Sequence, residues 1–172
     1  MTGLVQAKEE TENVGTGREG KYLTFTMANE EYGISILKIK EIIGMMQITK
    51  VPQTPDFIKG VINLRGKVIP VIDLRLLFCI EAMEYTERTC IIVIEIEGYE
   101  GFLVTGIVVD SVSEVLNIKD QEIEDIPTFG ADLKTEYILG VAKMEAGVKI
   151  LLDINKVLNG DEIKRLEKTG VT

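Results

Sequence analysis

The segment FIKGVINLRGKVIPVIDLRLLF, Phe57–Phe78, returns in weaker form as YILGVAKMEAGVKILLDINKVL, Tyr137–Leu158. The offset is constant: Gly60 maps to Gly140, Val61 to Val141, Asp73 to Asp153 and Phe78 to Leu158. A second pair lies upstream. GISILKIKEII (Gly33–Ile43) matches GIVVDSVSEVL (Gly106–Leu116), with Gly33 on Gly106, Ile36 on Val109, Glu41 on Glu114 and Ile42 on Val115. One chain therefore carries two copies of one supersecondary unit. What the copies share reports fold, and where they differ is where function is sought.

Within each copy the pattern reads as short strands. Tyr22–Met27 alternates as a strand, Ala28–Glu31 turns, and Tyr32–Ile36 runs back; Cys90–Glu97, Gly98 and Gly101–Val109 repeat this hairpin. For Leu37–Met46 helical and strand periods both fit, although its duplicate Ser111–Leu116 alternates as a strand does. Ile118–Asp125 reads as a short helical turn and Ile126–Glu136 as a longer irregular loop. In the hairpin of the opening segment both faces are apolar, which predicts burial on two sides. Pro70 has no N–H to donate, so it predicts an edge or a bulge. Asp73 and Asp153 read as N-caps of short helices, Leu74–Phe78 and Ile154–Leu158. Asp161–Lys168 is amphipathic, with Ile163 and Leu166 inward.

About five strands per copy predict an all-β fold of two small barrels packed around a pseudo-two-fold axis. The expected boundaries are a flexible tail over 1–20, a first barrel over 21–87, a second over 88–158, and a C-terminal helix and tail over 159–172. First and last strands of duplicated barrels can exchange, so the division between barrels is soft.

Composition narrows function. With 172 residues and 45 % hydrophobic content, the chain can bury a sizeable core. The start, MTGLVQAKEE, has no apolar run behind a basic stretch, and no segment reaches the roughly 20 apolar residues of a membrane span. The reading is cytoplasmic. A net charge of −9 without a dense Lys/Arg run argues against a nucleic-acid binder. The chain has no histidine, which excludes a histidine base, a Ser-His-Asp arrangement and a histidine-ligated metal. Cys79 and Cys90, both beside apolar residues, read as buried small hydrophobes. Met45-Met46 suits either a pliable surface or the core.

Two motifs fail on spacing. Gly60 and Gly66-Lys67 imitate a phosphate loop, but the spacing is one residue too long and Val68 stands where Ser or Thr is needed. Glu122, Glu124 and Asp125 match no calcium loop and read as a solvated acidic face. The copies differ most at the hairpin tip, where Leu64-Arg65-Gly66-Lys67 faces Met144-Glu145-Ala146-Gly147. Gly66 supplies a positive φ for a tight turn. Arg65 then projects from a stiff base, suited to bidentate contact with a partner's carboxylate or carbonyls. A solvated turn arginine, or one paired internally with a carboxylate such as Glu41, fits the residues as well.

EEYGISILKIKEI, FIKGVINLRGKVIPVIDLR, GIVVDSVSEVL and TEYILGV together resemble the CheW family of bacterial chemotaxis coupling proteins, over about residues 20–160. The resemblance implies two SH3-like five-stranded barrels, no catalytic activity and no cofactor. It implies two partners: the regulatory domain of the histidine kinase CheA, and the cytoplasmic tips of chemoreceptors docked between the barrels. It further implies recruitment to membrane-associated receptor arrays, and a monomer when free. The coupling residues it carries over are Arg65, Glu41, Ile39, Gly60 and Val115. Cys90 holds a groove position often β-branched in the family. The short flanks leave no room for a kinase or phosphoacceptor domain, which favours a stand-alone chain. Two other readings remain: a CheW-like module cut from a larger kinase or receiver-domain hybrid, and a small-barrel nucleic-acid binder, disfavoured by charge and by the lack of an aromatic platform.

Overall fold

The computed structural model describes residues 17–81, 83–126, 136–158 and 160–170. Strands β1 (Gly20–Met27) and β2 (Glu30–Ser35) form a hairpin. A 3₁₀ turn (Ile36–Lys38) leads to β3 (Ile39–Gly44), then come β4 (Ile58–Leu64), β5 (Lys67–Asp73) and helix α1 (Leu74–Leu77). The second copy follows the same order: β6 (Cys90–Gly98), β7 (Gly101–Val109), β8 (Ser111–Ile118), a 3₁₀ turn (Asp120–Glu122), β9 (Ile123–Glu124), β10 (Ile138–Met144), β11 (Gly147–Leu152) and α2 (Ile154–Val157). Helix α3 (Gly160–Gly170) closes the chain. Leu37–Met46, open between helix and strand in the sequence, resolves into one tight turn and then β3.

The strands assort into two sheets, ordered β8-β1-β2-β11-β10-β9 and β3-β6-β7-β5-β4. The sheets do not follow the expected division at 87. The first hairpin of copy one, β1–β2, sits between strands of copy two, and β6–β7 sits between strands of copy one. The duplicated unit in sequence is thus not the unit in space, because the two hairpins are exchanged. The joints are equivalent. β11 runs parallel to β2 with Leu151 opposite Gly33, and β5 runs parallel to β7 with Val71 opposite Gly106. Amides of Asp73 and Asp153 donate to the carbonyls of Phe57 and Tyr137, both at 2.8 Å.

Exchange explains the core. One apolar cluster draws on both sheets: Leu23, Phe25, Ile34 and Leu152 pack with Ile58, Ile72, Ile94 and Ile107, and Leu166 of α3 joins them. Two smaller clusters fill the individual barrels, Ile62, Val71 and Val93 in one and Tyr22, Ile118 and Leu151 in the other. Each such side chain stabilises the fold by about 1.5–3 kcal/mol relative to exposure. Asp73 and Asp153 cap α1 and α2 as expected, accepting from the amides of Arg75 (3.0 Å) and Asn155 (3.1 Å). Both helices end one residue earlier than expected.

Four further expectations are corrected. Residues 17–20 are not a loose tail: Arg18 donates to Asp125 (2.8 Å) and to the Leu139 carbonyl (3.0 Å), and β1 begins at Gly20. Residues 1–16 of the expected tail, and 127–135 of the expected loop, lie outside the described residues. The central hairpin is buried on both faces only along Ile69–Asp73; in β4 alternate residues stay partly open. Pro70 is interior rather than at an edge. Val61, its partner on β4, exchanges both backbone hydrogen bonds with Thr49 at 2.9 Å, so the Val61–Pro70 pair needs no donor. Cys79 is exposed and Cys90 half-buried, where both were expected inside. Met45 packs partly against a barrel core and Met46 is exposed.

Candidate functional site

Arg65 stands at the apex of the β4–β5 hairpin. Arg65 (φ 52°) and Gly66 (φ 89°) both adopt positive φ, as a two-residue hairpin turn of right-handed strand twist requires. Asn63 braces the turn by accepting from the Gly66 amide at 2.8 Å. A left-handed conformation at arginine costs about 1–2 kcal/mol. The turn thus carries strain at the position where copy one departs from copy two.

The guanidinium pairs with Glu41 of β3. β3 and β4 are the two outer strands of their sheet, so this pair and the Thr49–Val61 bridge join opposite edges and close the barrel. The arginine side chain remains 68 % exposed and the glutamate 31 %. An ion pair this open contributes at most about 1 kcal/mol. It orients Arg65 without committing it.

The other expected residues distribute around this point. Glu41 follows an irregularity in the β3–β6 register after Ile39, and Ile39 packs against the inter-barrel core. Cys90 opens β6 opposite Gly44 of β3, and its thiol meets the backbone of Val112 on β8. It therefore stands between β3 and β8, the outer strands of the two sheets, at the seam between barrels. Across the seam Val115 lies exposed on β8, and Ile42 is exposed on β3. The structure brings Arg65 and Glu41 into contact and places Ile39 and Cys90 on the same central core. Val115 stands apart in the other sheet.

Gly60 is different. It is buried in β4 with φ +145°, and a Cβ there would overlap the Thr49 carbonyl. Its role is to let the Thr49 segment approach β4. Gly140 repeats the arrangement against Glu124 of β9.

Burial pushes the Cys90 thiol up, partly offset by the Val112 backbone. Since the thiolate is the reactive form, Cys90 should alkylate at least about tenfold more slowly than exposed Cys79 at neutral pH. Timed maleimide labelling with peptide mass spectrometry checks this; equal rates in the folded protein would contradict the burial described.

A second cluster escaped the sequence reading. Arg75 of α1 donates to both carboxylate oxygens of Asp110, Nε to Oδ1 at 3.0 Å and an Nη to Oδ2 at 2.8 Å, and also to the Glu81 carbonyl at 2.9 Å. Asp110 accepts from the Ala28 amide at 2.9 Å and donates its own amide to the Thr26 carbonyl at 3.1 Å. One carboxylate thereby binds both barrels together. No local motif marks a pair separated by 35 residues. Among the described residues no group of three or more His, Cys, Asp or Glu lies close enough to hold a metal ion.

A family model for CheW-like domains matches residues 21–162. The chain is 44 % identical to the chemotaxis protein CheW of Klebsiella aerogenes over 171 residues, covering 99 % of this chain and 98 % of that one. It is 35 % identical to CheW of Bacillus subtilis over 150 residues, 87 % of this chain and 92 % of the relative. The crystal structure of the scaffolding protein TtCheW from Thermoanaerobacter tengcongensis superposes with a TM-score of 0.73 at 37 % identity, covering 84 % of this chain and 97 % of that one.

Proposed function

The chain belongs to the CheW-like family, and from that premise we propose that it couples the cytoplasmic tips of chemoreceptors to the histidine kinase CheA and so sets the kinase's autophosphorylation. Membership makes it a chemotaxis scaffold with two SH3-like barrels and no catalysis of its own. No helix among the described residues is long and apolar enough to cross a membrane. In this reading the chain works in the cytoplasm and reaches receptor arrays through its protein contacts.

The observation that carries the reading is the Arg65–Glu41 pair. A strained turn holds the exposed guanidinium at a barrel rim, and a pairing this open is displaced at little cost. A receptor helix offering a carboxylate or free carbonyls can take over the fork, while Ile42 and Val115 supply apolar contact on either side of the seam. Ile39 and Cys90 shape that seam from beneath, and Gly60 keeps the rim closed.

Arg65→Gly separates contact from fold, because glycine removes the guanidinium and relieves the left-handed strain together. Calorimetry with a receptor cytoplasmic fragment should show binding weakened about 30-fold, the cost of losing a desolvated arginine anchor of about 2 kcal/mol. Thermal stability should be unchanged or slightly raised, and binding to the CheA regulatory domain retained. Failure of the wild-type chain to bind either partner would sink the reading.

A further inference from the structure

The two copies carry opposite charge along equivalent edges. Residues 38–67 hold six basic side chains and two acidic ones, a net +4 in a chain of net −9. The matching residues 111–147 hold three basic and eight acidic ones, a net −5. The six basic residues are Lys38, Lys40, Lys50, Lys59, Arg65 and Lys67. Opposite Lys38, Lys40, Lys59, Arg65 and Lys67 the second copy has Ser111, Ser113, Leu139, Glu145 and Gly147. The contrast at Arg65 therefore extends along a whole edge.

The fold makes this stretch one surface. It comprises β3, β4, the tip between β4 and β5, and the segment that joins β3 to β4. β3 and β4 are the outer strands of their sheet, and they close on each other through the Arg65–Glu41 pair and the Thr49–Val61 bridge. Lys40 and Ile42 are exposed on either side of Glu41. Lys50 is exposed beside the Thr49 bridge, and Lys67 beside the Arg65 turn. Among the described residues Lys40, Lys50 and Lys67 make no ion pair, so their charge faces outward unneutralised.

We propose that this edge is an electrostatic landing surface for an acidic helical segment, and that the opposite charge of the second copy confines the landing to the barrel-one rim. This rests on the coupling reading, in which the segment belongs to the receptor tip. Exposed charges act over about 8 Å at physiological ionic strength, so the edge works on encounter. Complementary charge of this kind raises the association rate more than it lengthens the complex's lifetime. Lys40 and Lys67 guide a carboxylate-rich helix to the rim, where Arg65 and Ile42 hold it. The second copy builds the matching edge, but Glu122, Glu124 and Glu145 repel the same helix. Duplication alone would offer two landing sites, and charge leaves one.

Stopped-flow association with a receptor cytoplasmic fragment tests this. Lys40→Glu with Lys67→Glu should slow association about tenfold at low salt and flatten its salt dependence, with dissociation changed less than about threefold. Lys156→Glu with Lys168→Glu changes net charge equally at exposed sites elsewhere, and should slow association by no more than about twofold. Circular dichroism should match wild type in both. Equal slowing by the two double variants, or association of wild type that ignores salt, would overturn the proposal. The edge can also be read without a receptor, from amide relaxation by charged nitroxide co-solutes. An anionic nitroxide should act more strongly than a cationic one near Lys40 and Lys67, and the order should reverse near Glu122 and Glu145. Absence of that polarity overturns the inference even if the receptor fragment binds. Polarity without receptor binding overturns the coupling reading instead, and the receptor as occupant with it. Tighter binding of a single-stranded oligonucleotide than of the receptor fragment would overturn the choice of an acidic helix.

Discussion

Gly60→Ala should lower folding stability by about 3–5 kcal/mol, the larger of the two strongest single-site effects expected in this fold. Two terms combine. A side chain at φ +145° enters backbone space that glycine alone visits freely, costing about 1–3 kcal/mol. The added Cβ also overlaps the Thr49 carbonyl, so the Thr49–Val61 bridge must open, and its two hydrogen bonds of 2.9 Å contribute about 1 kcal/mol each. For a chain of this size the sum shifts Tm by about 10 °C or more. Gly66→Ala is the internal control. Gly66 also has positive φ, but no atom lies within 4 Å of its Cβ position, so its cost should stay near 1 kcal/mol. Urea titrations of the three proteins decide the matter. Equal midpoints for Gly60→Ala and wild type would refute the close approach.

The same comparison bears on coupling. If Gly60→Ala loses receptor binding, the loss should track the unfolded fraction and the opened rim. Arg65→Gly should lose binding with the barrel closed. On the proposed function, that pair of outcomes would put Gly60 behind the coupling site and Arg65 at it.

How much of this could be read in the sequence depends on the range of each interaction. Strands, turns and caps were legible because their causes are local: alternation in Tyr22–Met27, the Arg65-Gly66 turn, and Asp73 accepting from the amide two residues on. The duplication was legible because Gly60 and Gly140 answer close approaches of backbone, and Gly33 and Gly106 close approaches of the Leu151 and Ile91 side chains, and such approaches leave a mark in residue type. The exchange of hairpins was not. Each hairpin has the same apolar pattern whichever barrel it enters, so periodicity cannot tell which strands it will join. Cys79 was misplaced because an apolar neighbourhood in sequence says nothing about a positive-φ position (φ 63°) after a short helix, where the side chain turns outward. The Glu41–Arg65 pairing was within reach as one alternative, since the tip contrast between copies singled out the arginine. Its exposure, which makes the pair exchangeable, is a property of barrel closure and needed the structure.

Breaking the Arg75–Asp110 clamp should be the other large effect, and unequally so from its two ends. The Arg75 side chain is 9 % exposed and the Asp110 side chain 30 %. Asp110→Ala strands a buried guanidinium with only the Glu81 carbonyl, and should cost about 3–4 kcal/mol. Arg75→Ala leaves a carboxylate that water can still reach and that keeps the Ala28 amide, so about 2 kcal/mol is expected. Burial alone would push the Asp110 carboxyl up, but the Arg75 hydrogen bonds, the Ala28 amide and the Arg75 charge together hold it below its ordinary value. A depressed folded-state value fixes the sign of the pH dependence. The clamp's contribution is complete above the unfolded carboxyl value of about 3.9 and fades as pH falls through the lower folded value. Urea midpoints measured from pH 6 down to pH 3 should therefore drop more steeply in wild type than in Asp110→Asn, with the two curves converging at the acid end. Parallel curves would show that Asp110 carries no such linkage. The duplicate positions sharpen the expectation, because Asp110 and Arg75 map onto Leu37 and Asn155, which cannot form an ion pair. The Arg75–Asp110 clamp thus has no counterpart at the duplicate positions, although the β2–β11 joint carries an ion pair of its own between Glu31 and Lys149. Acid should accordingly loosen the joint of the β1–β2 turn with α1 before the joint that Asn155 makes with the β6–β7 hairpin by accepting from the Glu97 amide at 3.1 Å, and amide exchange at Ala28 should rise ahead of that at Glu97.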